Sequence, residues 1–466
     1  MVFNSLQYAV FLPLVVLVYW RLGRRQQNAL LLATSYLFYG LWDWRFLPLM
    51  LLSTATDYTV GLFLERTDDN ARRKWIFLVS LAVNLGVLGF FKYANFFLDS
   101  GAGSLQAIGI DVHSPAWQIL LPVGISFYTF HGISYTFDVY RREIRACHSP
   151  LDFAVFVAFF PQLVAGPIGR AQLQLPQFQR DRVPPRTEQL RSAAFLILLG
   201  LFKKVAIADA VAPYVNDAFA GGAGWVTLLV GVYAFALQIY GDFSGYSDMA
   251  RGSARLLGIE LPLNFEQPYL SQNITEFWQR WHISLSTWLR DYLYIPLGGN
   301  RGSELRTYRN LLLTMLLGGL WHGAAWTFVV WGAIHGSLLA GHRWWRSRHP
   351  VGTPTLAVRL LSTIATFNVV CGAWIFFRAP TLTDALRYIK GLLTFRPGPV
   401  DVDGILVLLA AGAISFGIDL AQRRARDHEV LLRWPAPLRG VAYGAFALAI
   451  LIFSGSAPVP FIYFQF

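Results

Sequence analysis

The chain has 466 residues, 55% of them hydrophobic and only 14% charged, with a mean hydropathy of +0.43. That composition excludes an ordinary soluble enzyme and points to an integral membrane protein. The net charge of +12 is no nucleic-acid signal, because the basic residues sit in separate clusters between apolar runs.

Largely apolar runs of roughly 17–25 residues match the length that crosses a ~30 Å hydrocarbon core. In chain order they cover residues 6–20, 28–42, 46–64, 75–91, 117–140, 151–166, 190–208, 225–248, 311–328, 329–345, 359–377, 404–420 and 439–455. The runs do not alternate. They predict an all-α polytopic membrane protein, a bundle of roughly 11–13 transmembrane or re-entrant helices. Residues 1–466 are expected to form a single membrane domain.

Met1 to Trp20 lacks a basic leader and a small-residue cleavage site, so it reads as an uncleaved first span. Clusters such as Arg21/Arg24/Arg25, Arg72/Arg73/Lys74, Arg141/Arg142/Arg145 and Arg423/Arg424/Arg426 contrast with 93–116, 209–224 and 454–466, which hold no Lys or Arg. The positive-inside rule then predicts both termini on the outer side and 249–310 on the cytoplasmic side. Two cysteines, Cys147 and Cys371, are too few for a disulfide framework or a zinc site, and neither is assigned a role.

Pro161–Pro167 is broken by two prolines and a glycine and reads as a re-entrant loop, tolerated only where protein buries it. The 225–248 run ends in two carboxylates, Asp242 and Asp248. At membrane depth they need partners, and Arg251, Arg255 or a histidine are the local options. Asp242 is a candidate to orient a catalytic histidine or line a substrate path; helix capping is the plainer alternative.

Residues 249–310 depart from spanning texture. From Ile274 the large apolar residues recur at helical spacing, which predicts one amphipathic interfacial helix. Asn273 or Thr275 can cap it, Glu276 can pair with Arg280, and Leu297-Gly298-Gly299-Asn300 ends it. His282 lies on this helix, where its plainest role is that of a snorkelling interfacial residue.

Between Leu311 and Gly341 there is no Lys, Arg, Asp or Glu, yet His322 and His335 stand in Trp321-His322-Gly323-Ala324-Ala325-Trp326 and Trp331-Gly332-Ala333-Ile334-His335-Gly336. Segment 311–345 therefore carries the candidate catalytic histidines, because histidine moves protons near neutral pH and an intramembrane ionisable group marks function. The alternative is a neutral histidine tying two helices together. On one continuous helix the two would lie about 220° apart, so they act separately or the helix breaks at Gly323 or Gly332. His335 and His342 share a face, which leaves His335 partly structural. The sequence contains no Gly-x-Ser-x-Gly elbow, Walker loop, His-Glu-x-x-His, Cys-x-x-Cys or His-x4-Asp pattern. What remains is a histidine general base acting on a substrate hydroxyl.

The run from Asn273-Ile274-Thr275-Glu276-Phe277-Trp278-Gln279-Arg280-Trp281-His282 to Gly298-Gly299-Asn300 resembles the signature of the membrane-bound O-acyltransferases. Leu320-Trp321-His322-Gly323, Ile334-His335-Gly336, Phe160–Ile168, Gly245–Ala250, Trp374–Ala379 and Phe461–Phe466 fit the same family, in its bacterial branch that O-acetylates exopolysaccharides such as alginate. The resemblance implies that His322 is the catalytic histidine and His282 its second functional residue. It implies a structural or donor-facing role for Arg290 and Asp291, while Gln279 stands where many relatives have a basic residue. An oxyanion stabiliser is required, for which a backbone amide at a helix break near Gly323, or the Trp321 or Trp326 indole N–H, are candidates.

The implied reaction is acetyl transfer from a cytoplasmic thioester, such as acetyl-CoA or an acyl carrier, with no bound cofactor or metal. The acetyl group is expected to pass to extracytoplasmic acetyltransferase partner proteins of an exopolysaccharide pathway; the lipid bilayer is the other partner and nucleic acid is not one. D-alanyl transfer to teichoic acid is the alternative within the family. A transporter with a proton relay, or a scaffold of a polymer-export complex, is the alternative outside it.

Overall fold

A computed structural model describes residues 1–113, 119–163, 166–349, 352, 354–454 and 461–462. Among these residues there are helices and no strands, as the unalternating apolar runs require. Six helical stretches are long and apolar enough to cross a membrane: Arg24–Arg66, Asn70–Ala107, Trp225–Leu256, Leu356–Arg378, Val402–Ala425 and Ala436–Phe453. This is a multi-pass membrane protein. Val164 and Ala165 of the re-entrant segment, and Tyr463–Phe466 of the last motif, lie outside the described residues.

The chain divides into two compact units: Met1–Leu190 with Ser253–Pro262, and Arg191–Gly252 with Leu263–Phe466. In the first unit the helices Leu47–Arg66, Asn70–Leu88 and Ile125–Tyr140 close around the buried Asp57 carboxylate. Ser80 Oγ and Asn84 Nδ2, both on the Asn70–Leu88 helix, donate to its Oδ1 at 2.6 and 2.8 Å, and Thr136 of the third helix lies 3.0 Å from the Ser80 hydroxyl, so all three helices contribute polar atoms that lipid could not satisfy. Gly132 permits this approach, because a Cβ there would collide with the carboxylate. The Pro161–Leu163 part of the re-entrant segment is fully buried, as its backbone demands.

The second unit contains the candidate site, and small residues set its geometry. The Thr187–Phe202 and Trp225–Leu256 helices touch backbone to backbone at Gly200 and Gly245, where a side chain on either would strike the other's carbonyl oxygen. Glu304–His322 and Trp326–Arg348 form a tight hairpin in which Gly319 faces the Phe328 carbonyl and Gly332 faces the Met315 carbonyl. A Cβ on Gly323 would enter the Phe328 ring, so the chain turns directly after His322.

The single amphipathic helix expected from Ile274 is two helices, Ile274–Arg280 and Ile283–Leu289, followed by a π-helical turn at Arg290–Tyr294. The start is as expected, with Asn273 accepting from the Glu276 N–H at 2.9 Å and Glu276 paired with Arg280 at 3.0 Å. The break falls at His282, whose φ of +43° is incompatible with a right-handed helix. Apolar spacing did not reveal it, because the stripe continues through the break. Asn264 stabilises it: its backbone oxygen accepts from Ile283 N at 2.9 Å and its side chain takes the Ser284 N–H and hydroxyl at 3.2 and 2.7 Å. These are N–H groups left open at a helix start.

A buried histidine pair inside an aromatic shell

Each structural break places one histidine. His322 ends the Glu304–His322 helix, because Gly323 leaves helical geometry there with φ −157° and ψ 149°. His282 sits in the left-handed break between the two short helices. Their ring centroids come within 6.5 Å, at an interplanar angle of 60°. His282 is fully buried and His322 nearly so. The snorkelling role expected of His282 is therefore wrong: the break turns its ring inward rather than toward the interface.

The walls are aromatic. His322 meets Trp321, Trp331 and Phe377 at 5.0, 5.1 and 5.3 Å, and His282 meets Phe243 edge-on at 4.6 Å. Among the described residues, no other residue offers a hydrogen-bond partner to either ring nitrogen of His282. A buried neutral imidazole carries one donor and one acceptor, and leaving both unsatisfied costs free energy that a purely structural residue would not need. Burial lowers the His282 pKa to about 3, which keeps the ring uncharged at neutral pH. A neutral, desolvated imidazole can accept a proton or donate a hydrogen bond to a reacting group.

The hairpin resolves the angular separation of His322 and His335, since the break at Gly323 folds both onto Trp331. His335 packs 4.7 Å from that ring and 5.1 Å from Trp278. Trp278 Nε1–H donates to His335 Nδ1 at 3.3 Å, which assigns the remaining proton of a neutral ring to Nε2. His335 thus braces the shell around His322. His342, on the same helix, shares a hydrogen bond of 2.8 Å with the Thr275 hydroxyl and ties the hairpin to the Ile274–Arg280 helix.

The other candidates lie apart from the pair. Trp321 lies 6.0 Å from His282, whereas Trp326 is 54% exposed. Arg290 and Asp291 pair with each other at 2.6 Å, with the Arg290 side chain largely exposed. Asp242 does not orient a histidine: its Oδ1 lies 2.9 Å from Lys204 Nζ. Asp248 uses Arg251 at 3.4 Å as expected, but its shorter contacts are Lys203 and His428, both at 2.8 Å. Arg255 pairs with Glu260 instead. Burial lowers the His428 pKa against the pull of Asp248.

Lys203, Lys204 and Asn264 are the buried polar neighbours that sequence reasoning passed over. Two adjacent lysines closing the apolar run Leu196–Phe202 were the available signal for the first two.

The sequence model of the membrane-bound O-acyltransferase family matches residues 29–378, which include His282, His322 and His335. The chain is 45% identical over 406 residues to a protein of Azotobacter vinelandii named probable alginate O-acetylase AlgI, covering 85% of this chain and 78% of that protein. It is 38% identical over 419 residues to the peptidoglycan O-acetyltransferase of Helicobacter pylori, covering 82% and 78%. A teichoic acid D-alanyltransferase of Streptococcus thermophilus is more distant, at 29% over 283 residues, covering 55% and 68%.

Proposed function

The chain belongs to the membrane-bound O-acyltransferase family, and from that premise we propose that it moves an acetyl group from a cytoplasmic thioester across the inner membrane for O-acetylation of an alginate-like exopolysaccharide. The observation that carries the mechanism is the approach of His282 and His322 inside a water-excluding aromatic shell. His322 takes the proton of the acceptor hydroxyl as its oxygen attacks the thioester carbonyl. The tetrahedral intermediate then expels the thiolate, which recovers the proton from the His322 imidazolium, leaving an ester and a free thiol. General-base assistance of this kind supplies roughly 10²–10⁴ in rate. Neutral His282, with an uncommitted N–H, and the Trp321 indole are the candidates to stabilise the oxyanion.

Acetyl transfer is favoured over D-alanyl transfer by the greater similarity to O-acetylating relatives. The two compact units serve one activity in this reading, because the family match crosses both. The charge pattern supports periplasmic termini, with 249–310 and the His282 side of the pair toward the cytoplasmic donor. The immediate acceptor in this reading is an extracytoplasmic acetyltransferase partner, which passes the group to the polymer.

The test uses membranes from cells carrying the wild-type or His322→Ala protein, supplied with acetyl-CoA. Wild-type membranes should release thiol and transfer label to the polysaccharide fraction, and His322→Ala membranes with equal protein should fall by roughly 10²-fold or more. Equal thiol release with and without the gene would refute acetyl-CoA as donor, and full activity of His322→Ala would refute the mechanism.

A further inference from the structure

The Asp242–Lys204 pair is complete as an ion pair, yet it takes a third group. Lys204, with a fully buried side chain, is held by Asp209 Oδ1 at 2.7 Å as well as by Asp242. Two carboxylates facing one ammonium leave Asp242 with acceptor capacity, and its Oδ2 accepts the backbone N–H of Ile462 at 2.7 Å. That bond draws Phe461 and Ile462 into the interior of the unit, where both are buried.

The Phe461 ring lands 4.3 Å from Tyr246 and 6.0 Å from Phe243. Phe243 in turn meets His282 edge-to-face at 4.6 Å and 89°. Among the described residues, no hydrogen bond from another residue fixes the direction of the His282 ring, which leaves its orientation to packing. The neighbours available are Phe243, Phe265, Trp321 and His322, and Phe243 is the nearest of them.

We propose that Phe461 and Ile462 form a positioning element for the histidine pair. Asp242 seats the Ile462 amide, Phe461 buttresses Phe243, and Phe243 holds the His282 ring toward His322. This rests on the reading of His282 and His322 as the reaction centre. Asp242 is then the anchor of a distant chain segment rather than a group that acts on substrate.

The Ile462 amide can be tested separately from its side chain. Ile462→Pro removes the N–H that Asp242 accepts, and Ile462→Ala keeps it. Phe461→Ala removes the buttress, and Phe461→Leu keeps most of its volume. In cells lacking the gene, each variant is compared at equal membrane level for the initial rate of ester-acetate formation on envelope and secreted polysaccharide. Ile462→Pro and Phe461→Ala should be roughly 10-fold slower or worse, since small misplacements of reacting groups carry large rate costs. Ile462→Ala and Phe461→Leu should remain within about 3-fold.

A second readout is independent of turnover. Carbethoxylation of His282 by diethylpyrocarbonate, followed by peptide mass, should rise in Ile462→Pro and Phe461→Ala and stay at the wild-type level in the two conservative variants. Unchanged rates, unchanged protection of His282, or equal effects of Ile462→Pro and Ile462→Ala would overturn the proposal. Loss of both disruptive variants from the membrane would also overturn it, making the segment a fold-stabilising contact. A His282→Ala variant run in parallel separates the two readings: if it acetylates like wild type, the reaction-centre assignment falls, while the protection assay still reports on the contact.

Discussion

His335 and Trp278 show how a buried histidine can be functional in place without touching substrate. The indole N–H satisfies Nδ1, the ring meets Trp331 edge-to-face, and Trp331 also packs edge-to-face against His322. Trp278→Phe keeps the aromatic packing and strands a buried acceptor, so it should destabilise the protein by about 1–3 kcal/mol. Trp326→Phe, on an exposed ring, should stay within about 0.5 kcal/mol. Thermal melting in detergent distinguishes them; equal melting temperatures would mean that the Trp278–His335 bond contributes nothing. At this scale the sequence was informative where an expensive residue stood in an apolar run, which is why His322 could be found. It was uninformative about Trp326 and Asp242, because exposure and pairing depend on distant segments such as Lys204 and Ile462.

At the level of elements, function sits where regular structure stops. The break after His322 is written into Gly323, and both the break and the hairpin could be read as alternatives from the sequence. The break at His282 could not, since a histidine at positive φ leaves no trace in hydrophobic spacing. Its cause lies about twenty residues upstream in Asn264, which caps the second short helix from outside it. Asn264→Leu should therefore cost about 1–2 kcal/mol, the usual worth of a helix cap, and lower acetylation at equal membrane level by letting the His282 turn relax. Asn264→Asp, which preserves the acceptor, should recover most of the activity. A leucine variant with wild-type stability and rate would show that the break is held by something else.

Over the whole molecule, lipid sets the bookkeeping. Buried lysines and aspartates inside the second unit are held in ion-pair groups, as Lys203–Asp248–His428 and Lys204–Asp242–Asp209 illustrate. Against that background the two open nitrogens of His282 stand out. The all-helical multi-pass class followed from the length and unalternating texture of the apolar runs. Division into two compact units did not, because the runs are similar in texture throughout and the boundary falls within continuous helices.

The central claim is that acyl transfer depends on the His282–His322 pair. Its most direct test is the ester-acetate content of polysaccharide from cells lacking the gene and complemented with wild type, His322→Ala or His282→Ala, each matched for membrane level by blot. The account predicts that His322→Ala abolishes the acetyl ester and that His282→Ala lowers it severely, by roughly 10²-fold or more, as for loss of an oxyanion donor. Acetylation at the wild-type level by His322→Ala would place the chemistry elsewhere in the protein.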